Sequence, residues 1–254
     1  MARSLSDIST TRTNSGLRAA VYGPNKVGKS SFAAGAPNPI FIPTEDGLAG
    51  LNDVPAFPLA TDLREHVYAS IGLLANESHD YKTVVIDSLD WMEPLVWEHV
   101  CRENKWQSIE SPGYGKGYVE AAREYRQFLD GTNALIAKGM NVVLICHDAI
   151  KRIDPPEGDG YDCHVLKLHQ RAAGLTLEWA DVVGFASHRI ATRKSETGFG
   201  NSKTKAISTG ERILKVESAP AHCGGNRFGL KDCPLEWGAL TAALAAPTTK
   251  EETA

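Results

Sequence analysis

The chain predicts an α/β fold with a mainly parallel sheet and helices on both faces, and three observations carry this. Short continuous apolar runs (LRAAVYG, PIFIP, KTVVID and NVVLICH) read as strands buried on both sides. Segments with a helical apolar period alternate with them. The 254 residues are 42% hydrophobic and 23% charged, the balance of a globular chain with enough material for a core.

Taken in order, 17–23 is a strand that stops at glycine, and a brief helix after it ends near Gly35 and Pro37. PIFIP at 39–43 is the second strand and runs into the turn TEDG. Leu63, Val67, Ile71, Leu74 and Ala75 fall on one face of a helix over 61–76. The strand 82–87 is followed by a helix over 90–104, where Asp90 and Glu93 have the spacing of a helix cap. After the glycine- and aromatic-rich SPGYGKGY comes a longer helix at about 117–138, closed by Gly139. The fourth strand, 141–147, ends at His147, and DPPEGDG (154–160) is a turn-rich loop. A fifth strand over 181–188 and a sixth over 212–218 pair across a basic loop as a C-terminal β-hairpin. The chain then closes with the helical PLEWGALTAALAA. The expected organisation is a tail at 1–15, one domain at 16–245 and a tail at 246–254.

The chemistry starts at the first strand's end. Gly23, Pro24, Asn25, Lys26, Val27, Gly28, Lys29 and Ser30, with Ser31 next, match G-x-x-x-x-G-K-[ST] between a strand and a helix. Glycines let main-chain amides converge on phosphate oxygens, and the helix N-terminus adds partial positive charge. Lys29 is expected to reach the β- and γ-phosphates and Ser30 to hold Mg2+. Asp87, closing VVID, supplies the second acidic element for the metal. The position after it is Ser88 rather than a glutamate, so Glu45, beyond PIFIP, is the candidate for orienting water. The guanine signature N-K-x-D is missing, which favours ATP as the nucleotide.

Composition narrows the setting. Five cysteines without a CxxC pair fit reduced thiols better than a disulfide framework or a zinc site, although His222-Cys223 and Cys163-His164 supply potential ligands. No apolar run reaches membrane-spanning length, and the polar start lacks the apolar stretch of a secretory signal, so a cytoplasmic protein with no membrane partner is expected. Net charge is −4, yet residues 188–215 hold seven basic side chains and two acidic ones. A basic strip on an acidic body can draw a polyanion to one face.

Together GPNKVGKSS, FIPTEDG, TVVIDSLD, the YGKGY segment, VVLICHDAIKR, LEWADVVGFA and GNRFGL resemble the phage-encoded, RecA-core-only ATPases of the Sak type. The resemblance covers nearly the whole chain and implies a RecA-like P-loop NTPase. It further implies single-stranded DNA binding, annealing or strand-exchange help in phage recombination, and self-association into a ring or filament, with a single-strand binding protein as a further partner. It places Glu45 as the base and puts the fourth strand between the P-loop strand and the Asp87 strand, where His147 senses the γ-phosphate. RecA's Lys-x-Arg pair, which reaches a neighbouring subunit's nucleotide, has its nearest counterpart in Gly225-Asn226-Arg227 without the lysine. Arg227 is thus a candidate trans arginine, with Arg212 as the rival. Two loops are candidates for DNA contact. One is SPGYGKGY, whose Tyr114 and Tyr118 can stack bases while Lys116 meets phosphate; the other is the strip with Arg193, Lys194, Lys203 and Lys205. Lys151 and Arg152 can add to either. Two other readings stay open: a small-molecule (nucleoside or nucleotide) kinase, and a nucleotide-dependent scaffold in phage replication or packaging.

Overall fold

The computed structural model describes residues 16–197 and 201–245, and within 190–208 the backbone alone. Five parallel strands form the centre: β1 (Arg18–Gly23), β2 (Pro39–Pro43), β3 (Thr83–Asp87), β4 (Asn141–Ile153) and β6 (Val182–Thr197). Their order is β2-β3-β4-β1-β6, so β4 lies between the P-loop strand and the Asp87 strand. The antiparallel β7 (Asn201–Lys215) pairs with β6, and the short β9 (Cys233–Pro234) pairs with β7.

Alternation along these strands explains their unbroken apolar character. Ala20, Tyr22, Val84, Ile86, Val142, Leu144 and Cys146 pack into one core, beneath α2 (Ala69–Asn76), α3 (Leu89–Asn104), α4 (Lys116–Ala137) and α5 (Gln170–Trp179). Ala19, Val21, Val85, Val143 and Ile145 pack into a second core on the other face, with α1 (Lys29–Ala34) and α6 (Trp237–Ala245). A strand covered on both faces has no solvated side to mark with polar residues.

The structure departs from the sequence expectation in several places. The helix over 61–76 begins as a π-helical turn, Leu63–Tyr68, capped by Asp62, which accepts from the Arg64 and Glu65 amides. Asp90 and Glu93 do not cap α3; the residue before the helix is Ser88, and both carboxylates reach elsewhere. β4 does not stop at His147 but runs on to Ile153, because its continuation pairs with β5 (Tyr161–Leu166) in an antiparallel hairpin around the DPPEGDG turn. Likewise β6 and β7 extend well past 188 and begin before 212, as one antiparallel arm. In both cases main-chain pairing, which needs no buried apolar face, continues the strand beyond the core.

Both hairpins leave the sheet from the same end. β4 and β6 run parallel to β1, with His147 level with Gly23 and Phe185 level with Tyr22. The strands beyond these points project on the P-loop side, and the arm from Ala186 to Thr197 has a reach of about 37 Å at ~3.4 Å per residue. No described helix is long and apolar enough to cross a membrane.

Candidate nucleotide site

The C-terminal ends of β1, β2, β3 and β4 surround a cleft of about 560 Å³, lined by Lys26, Gly28, Lys29, Ser30, Glu45, Asp87, Trp91, His147, Lys167 and Arg212, among others. Such an end is where open α/β sheets place ligands.

The loop between β1 and α1 is held in shape by its glycines. A Cβ on Gly23 would stand 2.3 Å from the Ala186 carbonyl oxygen, so only glycine lets the strand end pass β6 this closely. Gly28 has φ 105°, and a Cβ there would meet the Arg212 guanidinium. Val27 is buried under the loop. Lys29 is buried too, and its Nζ donates to the carbonyls of Gly23 (2.8 Å) and Pro24 (2.9 Å). Burial lowers the Lys29 amine, and Asp87 pulls it back up.

Opposite the loop, Ser30 Oγ donates to Asp87 Oδ2 at 2.6 Å. Asp87 is almost fully covered; burial raises its carboxyl, while the Ser30 hydroxyl and Lys29 act against that. Thr44 ties β2 to this point, its amide donating to Asp87 O (2.7 Å) and its hydroxyl to Ser88 O (2.6 Å). The next residue, Glu45, is therefore delivered to the cleft wall. Burial pushes its carboxyl above the usual range, against the pull of His147.

His147 joins the two carboxylate-bearing walls. Its Nε2 lies 4.0 Å from Glu45 Oε1. On its other side, Asp90 accepts from the His147 amide (3.0 Å) and contacts Nδ1 through both oxygens at 3.0 and 3.1 Å. Lys167 Nζ stands 3.6 Å from Asp90 Oδ2. Burial alone would raise the Asp90 carboxyl, but the hydrogen bonds from His147 hold it down at about 2. One turn further along α3, Glu93 accepts the His169 amide with both oxygens, and burial raises its carboxyl to about 7. Sequence reasoning missed Asp90, Lys167 and Trp91. Asp90 had a readable signal in IDSLD, but the cap spacing offered a simpler use for it. Lys167 comes from a β-hairpin that no apolar pattern announces.

The arginine candidates separate. Arg212, on β7, lies in the cleft of its own chain, against Gly28. Arg227 is held at the other end of the sheet: it follows β8 (Gly225–Asn226), which pairs with Val182 and Val183 where β6 begins. Its guanidinium donates to Glu178 O (2.9 Å) and lies 3.4 Å from Asp181 Oδ1.

The proposed DNA residues also divide. Tyr114 is fully exposed and Lys116 is exposed beside it. Tyr118 is engaged: its ring stacks on His169 with centroids 4.4 Å apart, and its hydroxyl donates to Glu110 Oε1 at 3.0 Å. Lys151 and Arg152 are exposed on the β4–β5 hairpin, where Arg152 meets Asp154 (3.4 Å) and Asp162 (3.8 Å). In the arm, the backbone register sets Arg193 opposite Lys205, Lys194 opposite Thr204 and Lys203 opposite Ser195; their side chains lie outside the described residues. No cluster of three metal-ligating side chains forms among the described residues, and Cys163 and Cys223 are free thiols.

No curated protein matches the chain. A family model for the AAA domain matches residues 15–228, taking in the P-loop, Asp87, His147 and all of the parallel sheet. With that match over most of the chain, and with a phosphate-binding loop facing a buried aspartate across the sheet's C-terminal end, this protein belongs to the AAA domain family of nucleotide-binding P-loop NTPases.

Proposed function

We propose that the protein binds ATP with Mg2+ in this cleft, hydrolyses it, and binds single-stranded DNA while assembling with copies of itself, in phage recombination by annealing or strand exchange. The observation that carries the nucleotide half is the 2.6 Å bond between Ser30 and the buried Asp87, with Lys29 beside it. A hydroxyl and a carboxylate oxygen held this close are hard donors of the kind magnesium takes, so the residues fit the metal. Magnesium, when bound, neutralises charge on the phosphate oxygens.

The remaining chemistry falls to the chain's own groups. Lys29, now resting on two loop carbonyls, exchanges them for phosphate oxygens. Glu45, in the cleft wall, orients water and accepts its proton; its elevated carboxyl sets the acid side of the pH profile. His147, fixed through Nδ1 by Asp90, presents Nε2 to Glu45 and to the cleft, and so reads whether the terminal phosphate is present.

Support for the DNA half comes from placement. The β4–β5 hairpin and the basic arm project from the end of the sheet that holds the cleft, and exposed Tyr114 and Lys116 offer a free ring and a cation. ATP turnover measured with and without an oligonucleotide tests the reading. The expected result is stimulation by single strands at low salt, and turnover lost but nucleotide binding kept in Glu45→Gln. Absence of any response to single-stranded DNA removes the DNA half; unchanged turnover in Glu45→Gln removes Glu45 as the base.

A further inference from the structure

Arg212 differs from two other arginines of the C-terminal part of the chain. Arg189 pairs with Glu211, and Arg227 with Asp181 and Glu178. Among the described residues, nothing partners the Arg212 guanidinium. It lies instead over the phosphate-binding loop, where a Cβ on Gly28 would come within 2.3 Å of Nη1. It lines the same cleft as Lys26, Lys29 and Ser30. A guanidinium that lines this cleft over the phosphate-binding loop, with no carboxylate within ion-pair distance among the described residues, leaves its donors free for an anion.

Its place in the fold adds a second consequence. Arg212 stands opposite His188 at the root of the β6–β7 arm. The ladder there is irregular: the register shifts between His188 and Ile190, and Gly210 has φ 79°. A bulge breaks the even pairing of a ribbon and locally bends it. The root of the arm is thus its irregular point, and Arg212 connects that point to the nucleotide cleft.

We propose that Arg212 contacts the phosphate chain of the nucleotide bound by its own chain, and that this contact orders the root of the arm when nucleotide is present. The inference rests on reading the cleft as an ATP site. It gives Arg212 a role within one chain, in place of a reach into a neighbour, and it makes the state of the basic arm depend on nucleotide whether or not DNA is the arm's ligand.

The test is backbone hydrogen exchange of residues 186–215 with and without saturating ATPγS and Mg2+, on wild type, Arg212→Ala and Arg212→Lys, alongside ATPγS titrations. In wild type, exchange at the root slows when nucleotide binds. Arg212→Ala binds about ten- to a hundredfold more weakly, the usual range for losing a charged hydrogen bond, and shows no slowing at saturation. Arg212→Lys recovers part of both. With no partner for the guanidinium among the described residues, Tm stays at the wild-type value in Arg212→Ala, which separates a lost contact from a lost fold. Mixing Arg212→Ala with Lys29→Ala restores no turnover if the contact is made within one chain. Affinity within twofold of wild type, slowing that persists in Arg212→Ala, or turnover restored by mixing each overturns the proposal. If wild type binds ATPγS but the arm does not respond, this inference alone fails. If wild type binds no nucleotide, the reading of the cleft fails and takes this inference with it.

Discussion

Replacing Asp90 by asparagine removes the charge that holds His147 while keeping the side chain's shape. Asp90 has a side chain only 3% exposed and makes three contacts with His147, plus the 3.6 Å approach of Lys167. Its carboxyl sits at about 2 against an ordinary 3.8. A tenfold change in proton affinity is worth about 1.4 kcal/mol, so the folded environment favours the carboxylate by about 2 kcal/mol. The folded value is the depressed one. The stabilisation is therefore complete above about pH 5 and disappears as pH falls through 4 toward 2. Asparagine can still accept the His147 amide but gives up the charge. Asp90→Asn is expected to lose about 2 kcal/mol at pH 7, a fall in Tm of roughly 4–8 °C for a chain of this size. At pH 2 its stability converges with that of wild type. Urea unfolding of both proteins from pH 2 to 8 measures this, and a double-mutant cycle with His147→Ala isolates the pair. Equal stability at pH 7, or a constant difference across the whole range, would refute the assignment.

Other expectations follow from the same geometry. Glu93 has the opposite sign: burial raises its carboxyl to about 7, so the fold disfavours its charged form and loses stability as pH rises from about 4 to 7. Glu93→Gln should flatten that decline and be the more stable protein at pH 8 in urea unfolding; a wild-type curve that rises over this range contradicts it. Tyr114→Ala should weaken oligonucleotide binding by about 1–3 kcal/mol, read by fluorescence anisotropy, with no change in Tm because the ring touches solvent. Tyr118→Ala should instead lower Tm by releasing the His169 stack and the Glu110 bond. The reverse pattern would move the DNA contact from Tyr114 to Tyr118.

Much of the sheet is legible in the sequence because its strands are covered on both faces. The inner residues of PIFIP and TVVID are apolar because both faces of these strands lie under helical layers, and the observed bounds coincide with those runs almost residue for residue. The P-loop is legible for a different reason, since its backbone needs glycine at Gly23 and Gly28. The strands that the sequence cuts short are those that leave the core. Beyond His147 and beyond His188 the ladders are held by main-chain pairing, and exposed residues such as Lys151 carry no periodic apolar mark. The helix α5 escaped notice because only Ala172 and Thr176 of its ten residues are buried, which leaves a weak helical period. Asp90 illustrates the limit at the site. Its partners lie 57 and 77 residues away, and only the adjacency of β3 and β4 brings His147 to it. Local spacing cannot express that, so the cap reading stood in for a tertiary contact.

The cradle between Gly23 and Ser30, with Asp87 facing it, is tested most directly by calorimetric titration of ATPγS into wild type and Ser30→Ala, each in Mg2+ and again in EDTA. Wild type is expected to bind more tightly with Mg2+ than in EDTA, and Ser30→Ala to lose that difference while keeping the weaker, metal-independent binding. Equal affinity in Mg2+ and EDTA for wild type, or a magnesium effect undiminished in Ser30→Ala, contradicts the account.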